Sequence, residues 1–509
     1  MRRATKAIVG ALSLAVAGVA AGALVWPDRF AVNAPLRQLL LGRGIAAPPE
    51  ATVESRLRPP AGARLTRYAE RLPNARFLRF TPAGDLLVTS PREGKVVRLA
   101  PDRDGDGRSD GRQDVLSGLD RPHGLDLHEG WLYVAETGAV GRVRFDPRTG
   151  ASSGPFERLV KDIPAGGGHW TRTLRFGADG WMYVSIGSSC NVCAEKDPRR
   201  AAMVRYHPDG TGEEIYATGL RNAVGFDWRP ADGELYATDN GRDLLGDDFP
   251  PCELDRIVAG GFYGWPIANG DRVPDPDFGK GQLARIAGSI PPVHGFRAHN
   301  APLGITFLRS PATPEAYRGA ALVALHGSWN RTRKDGYKVV SLHWQPDGRI
   351  VERDFLTGFL GATDDDVIGR PVDVAEGPDG AVYVSDDYAG SIYRIAWSSP
   401  AAGAKQGRAR DAAEAAPRGG PTATTPAVAT REAIVRGEAL YAAHPCAACH
   451  EPGKTGPGVV ARQLKGLARR YTAVSLSAYL RAPNPPMPAF PLSEGERADL
   501  AAFLLSRFP

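Results

Sequence analysis

A strand pattern that recurs six times between residues 62 and 398 constrains the fold more than any other feature of this sequence. Each copy begins with a glycine in a turn and continues with a short alternating apolar run, which indicates a β-strand. The glycines that open the copies are Gly84, Gly130, Gly180, Gly233, Gly319 and Gly380. Their spacings are 46, 50, 53, 86 and 61 residues, near the length of a propeller blade. The repeats therefore predict an all-β six-bladed β-propeller over residues 62–398, rather than a sandwich or a solenoid, with long insertions around residues 243–300.

The N-terminal residues 1–26 have the pattern of an export segment. Three basic residues precede an apolar run of small residues from Ala7 to Val25, which is typical of a secretory signal peptide. A run of about 19 residues is also long enough to remain in the bilayer as an anchor, and both alternatives stay open. In either case the basic end stays inside, so the rest of the chain is expected in the periplasm.

Composition divides the remaining chain into a tether, two domains and a linker. Residues 27–61 are irregular and rich in proline, and residues 399–430 consist mainly of Ala, Pro, Gly, Thr and Arg. These segments are expected to be a tether and a linker. Residues 431–509 show helical patterning at both ends and predict a small all-α domain. The net charge of +6 comes from singly scattered basic residues, which argues against a nucleic-acid-binding surface.

The segment Cys446-Ala-Ala-Cys449-His450 carries the strongest chemical signal in the chain. This is the attachment pattern of haem c, in which two thiols bond to the vinyl groups and the following histidine ligates the iron. A structural zinc site or a redox dithiol is the alternative. No histidine follows His450, and Met487 is the only methionine after residue 203, so Met487 is predicted to be the sixth ligand. On these residues the segment 431–509 resembles a small class I cytochrome c domain, whose Met/His pair suits electron transfer.

Seven sequence blocks give the strand region a recognisable signature. They are Arg121-Pro-His-Gly124, Gly168-His-Trp170, Gly187-Ser-Ser-Cys-Asn-Val-Cys193, Gly219-Leu-Arg-Asn222, Gly260-Gly-Phe-Tyr-Gly-Trp-Pro266, His326-Gly-Ser-Trp-Asn-Arg331 and Gly369-Arg-Pro-Val-Asp373. On these blocks residues 62–398 resemble the soluble PQQ-dependent aldose sugar dehydrogenases and, within them, the L-sorbosone dehydrogenases. The resemblance implies a propeller that binds pyrroloquinoline quinone (PQQ) and oxidises a sugar.

The resemblance also implies roles for individual residues near the channel of the propeller. His169 matches the base of the family, which takes a proton from the sugar hydroxyl while hydride passes to the quinone. Arg221 is expected to act beside His169 as a catalytic residue. PQQ carries three carboxylates, so its site needs cations and hydrogen-bond donors. The candidates are Arg221, Asn222, Arg370 and either Arg331 or Arg333.

The residues around the predicted base leave two questions open. Glucose-oxidising relatives place a carboxylate beside the base, and the nearest matching position here is Ser188. Beyond the haem motif the chain has Cys190, Cys193 and Cys252. A Cys190–Cys193 bridge is expected in an oxidising compartment, but Cys252 could replace either partner. His123 is a second histidine expected near the channel.

Calcium is the third cofactor that the resemblance implies. Backbone carbonyls of Gly241 and Arg242, in the loop after the fourth-blade strand, are the expected ligands at PQQ. Glu253, together with Tyr263, matches a further calcium position in some relatives. A separate run has the D-x-D-x-D-G spacing of a calcium loop, with candidate ligands Asp102, Asp104, Asp106 and Asp110. The twelfth position of this run is Gln113 rather than glutamate, so an acidic hairpin turn is the alternative.

Together these patterns predict an exported quinohaemoprotein. Its propeller would oxidise an aldose or a sorbosone-like sugar aldehyde with PQQ and calcium, and its haem c would pass the electrons to a downstream cytochrome or oxidase. The short linker would keep the donor and the acceptor at high effective concentration. The alternatives are a calcium-dependent propeller lactonase and a non-enzymatic electron-transfer or binding protein.

Overall fold

The computed structural model of the chain describes residues 31–35, 43–364, 366–397, 431–444, 446–451, 464–467, 471, 473–481, 483, 487, 490 and 492–508. The chain divides into two compact units, residues 1–408 and 409–509. The expected export segment, residues 1–26, and the expected linker, residues 399–430, lie outside the described residues. Among the helices that are described, none is both long and apolar enough to span a bilayer.

The first unit is a ring of six sheets, which confirms the predicted six-bladed β-propeller. Its first strands are β1 (Ala63–Ala69), β2 (Leu78–Phe80), β3 (Leu86–Ser90), β4 (Lys95–Leu99), β5 (Arg112–Leu116), β6 (Leu125–His128), β7 (Trp131–Ala135), β8 (Val140–Asp146), β9 (Ala151–Val160), β10 (Arg172–Phe176), β11 (Met182–Ile186), β12 (Ala202–Tyr206) and β13 (Glu214–Thr218). They continue with β14 (Ala223–Trp228), β15 (Leu235–Asp239), β16 (Cys252–Ile257), β17 (Gly261–Phe262), β18 (Ala268–Asn269), β19 (Val273–Pro274), β20 (His294–Phe296), β21 (Pro302–Phe307), β22 (Ala321–Leu325), β23 (Lys338–Trp344), β24 (Ile350–Leu356), β25 (Pro371–Glu376), β26 (Val382–Asp386) and β27 (Ser391–Trp397).

The blades follow one another in chain order around the ring. Blades 1, 2 and 5 are β2–β5, β6–β9 and β21–β24. Blade 3 is β10–β13 with β17 added in parallel, and blade 4 is β14, β15, β16 and β20. In every blade the repeat glycine turns the first strand into the second, and its φ lies between 68° and 91°. This left-handed conformation favours glycine, which explains the spacing seen in the sequence.

The sixth blade is closed by the N-terminal strand. It consists of β25, β26 and β27, and β1 pairs antiparallel with β27 from Ala63 opposite Trp397 onwards. The preceding segment, expected to be an irregular tether, contains the helix α1 (Glu50–Arg56). Val53 of this helix is fully buried and belongs to the same apolar cluster as Phe355 and Phe359. The apolar face of α1 therefore packs on the propeller.

Buried aspartates join the inner strands of neighbouring blades by hydrogen bonds. Asp227 Oδ2 accepts a hydrogen bond from the backbone nitrogen of Phe307 at 2.8 Å, and Asp373 Oδ2 accepts one from Leu78 at 2.9 Å. At Gly225 a Cβ atom would lie 2.1 Å from a backbone oxygen of the next blade, so only glycine allows this approach. These contacts fix the inner strands, whose ends carry the residues of the candidate site.

The insertion expected around residues 243–300 is present. It contains β17, the hairpin of β18 and β19, and the short helix α2 (Leu283–Ala287) before β20 completes blade 4. The widest repeat spacing therefore reflects added loops within one blade and not an extra blade.

The second unit is helical in its described part, which confirms the small α-helical domain. Its helices are α3 (Arg431–Ala443), α4 (Ala447–His450), α5 (Ala473–Arg481) and α6 (Glu494–Arg507). Ser493 caps α6 through a capping box with Glu496. At Gly437 a Cβ atom would lie 2.1 Å from the backbone oxygen of Asp499, so glycine lets α3 and α6 pack closely.

Candidate functional site

His169 precedes the inner strand of blade 3, and its ring orientation is fixed by Ser188. Nδ1 lies 2.9 Å from both the backbone oxygen and the hydroxyl of Ser188. That hydroxyl donates to the backbone oxygen of Cys190 at 2.7 Å. Since a carbonyl oxygen only accepts hydrogen bonds, Nδ1 carries the ring proton and Nε2 keeps its lone pair. The arrangement presents Nε2 as a proton acceptor.

The surroundings of His169 keep its ring neutral. Burial, followed by the positive charge of Arg221, lowers the pKa of His169 to about 3. Such a histidine is uncharged throughout the physiological range, so the lone pair of Nε2 is not occupied by a proton. Ser188 thus orients the ring of His169 with neutral oxygens, at the position where the sequence comparison placed a serine instead of the carboxylate of glucose-oxidising relatives.

Asn222 lies next to His169, across a gap that Gly187 leaves open. A Cβ atom on Gly187 would fall 2.4 Å from Oδ1 of Asn222 and 2.8 Å from Cβ of His169. The buried Oδ1 of Asn222 has no hydrogen-bond partner among the described residues. An unsatisfied buried amide oxygen beside the base marks a place where a polar ligand group would fit.

Arg221 is buried, and its guanidinium ties three loops together. Nη1 donates to the backbone oxygens of Asn240 and Gly241 at 3.0 and 2.9 Å. Nε and Nη2 donate to the backbone and side-chain oxygens of Asn191, both at 2.9 Å. Nη2 also pairs with Asp243 at 3.0 Å. The network holds the guanidinium charge near the base.

Arg331 and Arg370 are both buried, and each joins its own loop to a loop of the preceding blade. Arg331 donates to the backbone oxygen of Asp247 and pairs with Asp248 at 3.3 Å. Arg370 donates from Nε and Nη2 to backbone oxygens of His326 and Gly327 at 3.0 and 2.8 Å. These hydrogen bonds hold the guanidinium of Arg370 in one position between the two loops.

Three carboxylates, those of Asp239, Glu253 and Asp255, form a buried cluster in blade 4. Asp239 is paired with Glu253 across β15 and β16, and one oxygen from each carboxylate lies within 4.8 Å of the others. Glu253 Oε1 accepts a hydrogen bond from the backbone nitrogen of Gly270 at 2.8 Å. Asp255 is 0% exposed, and neither of its oxygens has a partner among the described residues. Hard oxygen donors gathered in this way fit Ca²⁺.

The cluster resists ionisation in the absence of a cation. Burial raises the pKa of Asp239 to about 6, and burial together with the charge of Asp239 raises that of Glu253 to about 8. Burial and the charge of Glu253 raise the pKa of Asp255 well above its ordinary value. A bound divalent cation would reverse these shifts, because it favours the charged carboxylates.

The other expected calcium ligands lie in two further places. The backbone oxygen of Gly241 accepts a bond from Arg221, and a carbonyl oxygen has a second lone pair for another ligand. The side chain of Arg242 forms a buried bidentate pair with Asp275 at 2.8 and 2.6 Å. Tyr263 donates its hydroxyl proton to the backbone oxygen of Arg256 at 2.6 Å.

The aspartate-rich run forms an exposed loop between β4 and β5. Asp102 accepts backbone hydrogen bonds from Gly105 and Gly107 at 2.7 and 2.9 Å. Asp104, Asp106 and Asp110 each accept one backbone hydrogen bond inside the loop. Oxygens of Asp102, Asp104 and Asp110 lie within 4.8 Å of one another, so the loop gathers three of its four candidate ligands.

The cysteines of the propeller pair as expected. Cys190 and Cys193 form a disulfide in the loop after β11, and Cys252 is a buried thiol whose pKa burial raises to about 11. The bridged loop presents Asn191 to Arg221. The backbone oxygen of Cys190 accepts the hydrogen bond of the Ser188 hydroxyl. The loop with the disulfide therefore contacts both the group that orients His169 and the hydrogen-bond network of Arg221.

The second unit contains an apolar cavity of about 220 Å³. Cys446, His450 and Met487 all line it, and the other lining residues are Tyr441, Leu464, Leu467, Tyr471, Leu476, Tyr479, Leu480, Phe490, Leu500 and Leu504. Cys449 lies on α4, and its side chain is outside the described part of the chain. A histidine and a thioether on the wall of one apolar cavity fit the axial ligation of a haem.

Some residues of the site were not found from the sequence. Asn191 carries no motif of its own and gains its place from the fold. Asp239 and Asp255 were missed, although a signal existed. Glu253 and Asp255 alternate with Leu254 in a buried strand, so two acidic side chains share one face.

Models of two protein families match the chain. The model described as glucose/sorbosone dehydrogenase matches residues 131–394, more than half of the chain. The model described as cytochrome c oxidase, cbb3-type, subunit III matches residues 432–504. The two matches cover the propeller and the helical unit separately.

Relatives of known sequence match the chain over part of their length. An uncharacterised protein of Borreliella burgdorferi is 37% identical over 218 residues, which are 42% of this chain and 56% of the relative. An uncharacterised protein of Synechocystis is 25% identical over 263 residues, which are 46% of this chain and 58% of the relative. The chain thus spans a little over half the length of these relatives.

Solved structures share the fold of the first unit. The Trichoderma reesei enzyme of carbohydrate-active family AA12 has a TM-score of 0.58 at 21% identity and covers 67% of this chain and 98% of its own. The PQQ domain of pyranose dehydrogenase from Coprinopsis cinerea has a TM-score of 0.57 at 21% identity, covering 67% and 97%. The soluble aldose sugar dehydrogenase of Escherichia coli has a TM-score of 0.51 at 19% identity, covering 66% and 100%. At these identities the likeness concerns the fold alone.

Proposed function

This chain belongs to the glucose/sorbosone dehydrogenase family and carries a C-terminal cytochrome c domain, and from this premise we propose that it is an exported quinohaemoprotein dehydrogenase. Its propeller oxidises an aldose or a sorbosone-like sugar aldehyde with PQQ, and its haem c receives the electrons. A periplasmic cytochrome or oxidase then accepts them from the haem. The export segment on which the location depends, residues 1–26, lies outside the described residues.

One observation carries the proposal for the propeller. A neutral histidine with a free Nε2 lies beside the unsatisfied Oδ1 of Asn222, across a gap that only glycine leaves open. His169 Nε2 takes the proton of the substrate hydroxyl. PQQ, when bound, supplies the acceptor for the hydride. Nδ1 stays protonated throughout, because the Ser188 carbonyl accepts its hydrogen bond.

The buried cations fit an anionic cofactor. Asn222, Arg331 and Arg370 are proposed to hold its carboxylates, and Arg221 is proposed to act at the reacting centre beside the base. All three arginines are locked by hydrogen bonds to neighbouring loops, so their charge is in place before the ligand arrives. Such preorganisation avoids the cost of ordering long side chains on binding.

Calcium is proposed at two places in blade 4 and at one on the surface. Gly241 and Arg242 are proposed to offer backbone oxygens at the cofactor. The buried Glu253 is proposed to ligate a second ion together with Asp239 and Asp255, and the two oxygens of Asp255 that have no partner among the described residues favour a cation there. The exposed loop with Asp102, Asp104, Asp106 and Asp110 is a third proposed site.

The helical unit is proposed to hold haem c. Cys446 and Cys449 are its attachment residues, and His450 and Met487 are the axial ligands. The shared cavity of Cys446, His450 and Met487 supports this assignment. A histidine/methionine pair gives the iron a higher potential than two histidines, which suits an acceptor for electrons from a reduced quinone.

Reduction of the haem tests the proposed function. Purified full-length protein with its haem is oxidised, supplied with PQQ and Ca²⁺, and mixed with a series of aldoses and sugar aldehydes. We expect the haem absorption to become that of the ferrous form with at least one sugar and only when PQQ is present. Failure with every sugar and aldehyde, or reduction without PQQ, would contradict the proposal. Hydrolysis of a lactone by PQQ-free protein would instead favour the calcium-dependent lactonase.

A further inference from the structure

A cavity of about 530 Å³ opens beside Trp170, the residue that follows the proposed base. Its walls come from blades 1, 2, 3, 5 and 6, at the mouth of the ring. It is lined by Asn74, Arg76, Pro91, Arg92, Arg121, Trp170, His326 and Asp387. Among the described residues, none of those proposed above to hold PQQ or calcium lines it. Its volume is in the range of sites for small molecules.

The cavity carries an excess of positive charge. Asp387 is the only carboxylate among its described lining residues, and it is bound by Arg76 at 2.8 Å and by His326 at 2.9 Å. Burial alone would raise the pKa of Asp387. The nearby His326 and Arg76 outweigh this effect and hold the pKa below its ordinary value. The ion pair with Arg76 neutralises the negative charge of Asp387. The positive charges of Arg92 and Arg121 therefore remain on the cavity wall.

Arg121 presents its guanidinium to the cavity. The side chain is exposed and its guanidinium carbon lies 4.2 Å from the centre of the Trp170 ring. It forms no ion pair or hydrogen bond with any residue that the structure describes. Its φ of 50° is a left-handed conformation that costs a non-glycine residue energy and is frequent at binding sites. The contact with Trp170 places the guanidinium at the cavity wall, where its N–H groups can donate to a ligand.

These features fit a ligand that combines a ring with a carboxylate. A guanidinium edge binds a carboxylate with two parallel hydrogen bonds. Trp170 contributes an apolar aromatic side chain to the cavity wall, which can contact the C–H groups of a sugar ring. The cavity adjoins the base in the chain, so a sugar held there would be close to the reacting groups.

We propose that Arg121 and Trp170 form a subsite for the carboxylate of an acidic sugar, so that the preferred substrates are uronic acids rather than neutral aldoses. This inference rests on the proposed dehydrogenase function for the identity of the site. The binding of the acid can be measured without turnover. A carboxylate of PQQ has the same chemistry, and the experiment separates the two sources.

The test is calorimetric titration of the full-length, haem-loaded and PQQ-free protein with D-glucuronate and with D-glucose. We expect glucuronate to bind about tenfold more tightly than glucose, as one charge-assisted bidentate contact allows. Arg121→Gln is expected to remove that advantage and to leave glucose binding unchanged. Arg121→Lys is expected to retain part of it, because the charge stays but the planar fork is lost. Arg148→Gln, at an arginine whose side chain is 89% exposed on a distant turn, is the matched control.

Titration of the same variants with PQQ identifies the source of the carboxylate. Unchanged PQQ affinity in Arg121→Gln, with glucuronate binding lost, supports the proposal. Lost PQQ affinity with equal binding of glucuronate and glucose overturns it, because the subsite would then serve the cofactor. If the wild-type protein does not bind PQQ, the dehydrogenase function fails, and the glucuronate titration still decides whether the subsite exists. Equal binding of the two sugars by the wild-type protein also overturns the proposal.

Discussion

Two buried polar centres of the propeller are neighbours in space and differ in how their charges are satisfied. Around His169 and Arg221, the side-chain donors bond to oxygens of the protein, and these hydrogen bonds connect the surrounding loops. In the carboxylate cluster of Asp239, Glu253 and Asp255, acceptors face each other and Asp255 has no donor among the described residues. The centres meet where the backbone nitrogen of Asn222 donates to Asp239.

The difference indicates which centre needs a ligand to be stable. Around His169 and Arg221 both side chains are hydrogen-bonded within the protein, and the Oδ1 of Asn222, which has no partner among the described residues, is left for a ligand. The carboxylate cluster must hold either protons or a cation, because buried uncompensated charge is costly. A change in the first centre should therefore affect turnover, and a change in the second should affect stability and metal binding.

The largest expected effect is the loss of the base. His169→Gln is expected to lower the rate of sugar-dependent haem reduction by roughly 10²–10⁴-fold, the usual contribution of a general base. PQQ affinity should change little, because the residues proposed to bind PQQ are unaltered. Stopped-flow absorption measures the rate. His207→Gln changes an exposed histidine of the same unit and is the control. A loss of PQQ affinity equal to the loss of rate would show that His169 serves binding and not proton transfer.

The next effect concerns the pH dependence of stability in the metal-free protein. The folded-state pKa values of about 6 for Asp239 and about 8 for Glu253 exceed those of the unfolded chain, so the folded state binds extra protons. The contribution of these two groups to stability is therefore fully present below about pH 4, where both are protonated in the folded and the unfolded chain. It falls as the pH rises and is lost once the pH has passed about 6 for Asp239 and about 8 for Glu253. We expect the metal-free protein to be at least about 2 kcal/mol less stable at pH 8.5 than at pH 5.

Calcium should remove most of this pH dependence. Thermal unfolding of the propeller at pH 5 and 8.5 is measured in EDTA and in millimolar Ca²⁺. A free Ca²⁺ concentration of 100 times the dissociation constant stabilises the folded state by about 2.7 kcal/mol. Other buried carboxylates, such as Asp386, also have a raised pKa, but they lie outside the cluster and respond equally in both conditions. Identical curves with and without Ca²⁺ would mean that the cluster holds protons and not a cation.

The sequence was informative wherever the determinant was local. A glycine with positive φ and an alternating strand are properties of consecutive residues, so the blades were predicted. The pairing of β1 with β27 was not predicted, because it joins Ala63 to Trp397 across the whole unit. The helix α1 was also missed, since its stability comes from burial of Val53 against distant strands.

The site shows the same limit. The resemblance supplied His169, Arg221 and Arg370 as residues, but not their partners. That Arg221 is held by Asn191 and Asp243 depends on two loops meeting in space. Charges and hydrogen bonds of this kind follow from the fold, and a residue-by-residue pattern cannot provide them.

A smaller change tests the cluster directly. Asp255→Asn replaces a carboxylate without donors by an amide that can donate to its acidic neighbours. We expect the metal-free protein at pH 8 to gain about 1–3 kcal/mol, the cost of leaving such a buried group unsatisfied. Ca²⁺ binding should weaken at the same time, since one charged ligand is lost. Asp162→Asn, at an aspartate whose side chain is 78% exposed and which belongs to no proposed calcium site, is the control. A variant that is less stable in EDTA would show that Asp255 has a stabilising partner.

The smallest expected effect comes from removing the hydroxyl of Ser188. It tests how far the site around His169 depends on one hydrogen bond. Both oxygens of Ser188 lie 2.9 Å from His169 Nδ1, but only the hydroxyl can be removed by substitution. In Ser188→Ala the backbone oxygen still accepts the Nδ1 proton, so Nε2 remains the base. One neutral hydrogen bond contributes about 0.5–1.5 kcal/mol, so turnover should fall roughly 2–12-fold, with PQQ affinity unchanged. Ser189→Ala is the matched control, because the Ser189 hydroxyl bonds to Glu195 and not to the base. A thousandfold loss of turnover in Ser188→Ala would mean that the hydroxyl, and not the carbonyl, keeps the proton on Nδ1. The site around His169 would then depend on a single group, as the carboxylate cluster depends on its cation.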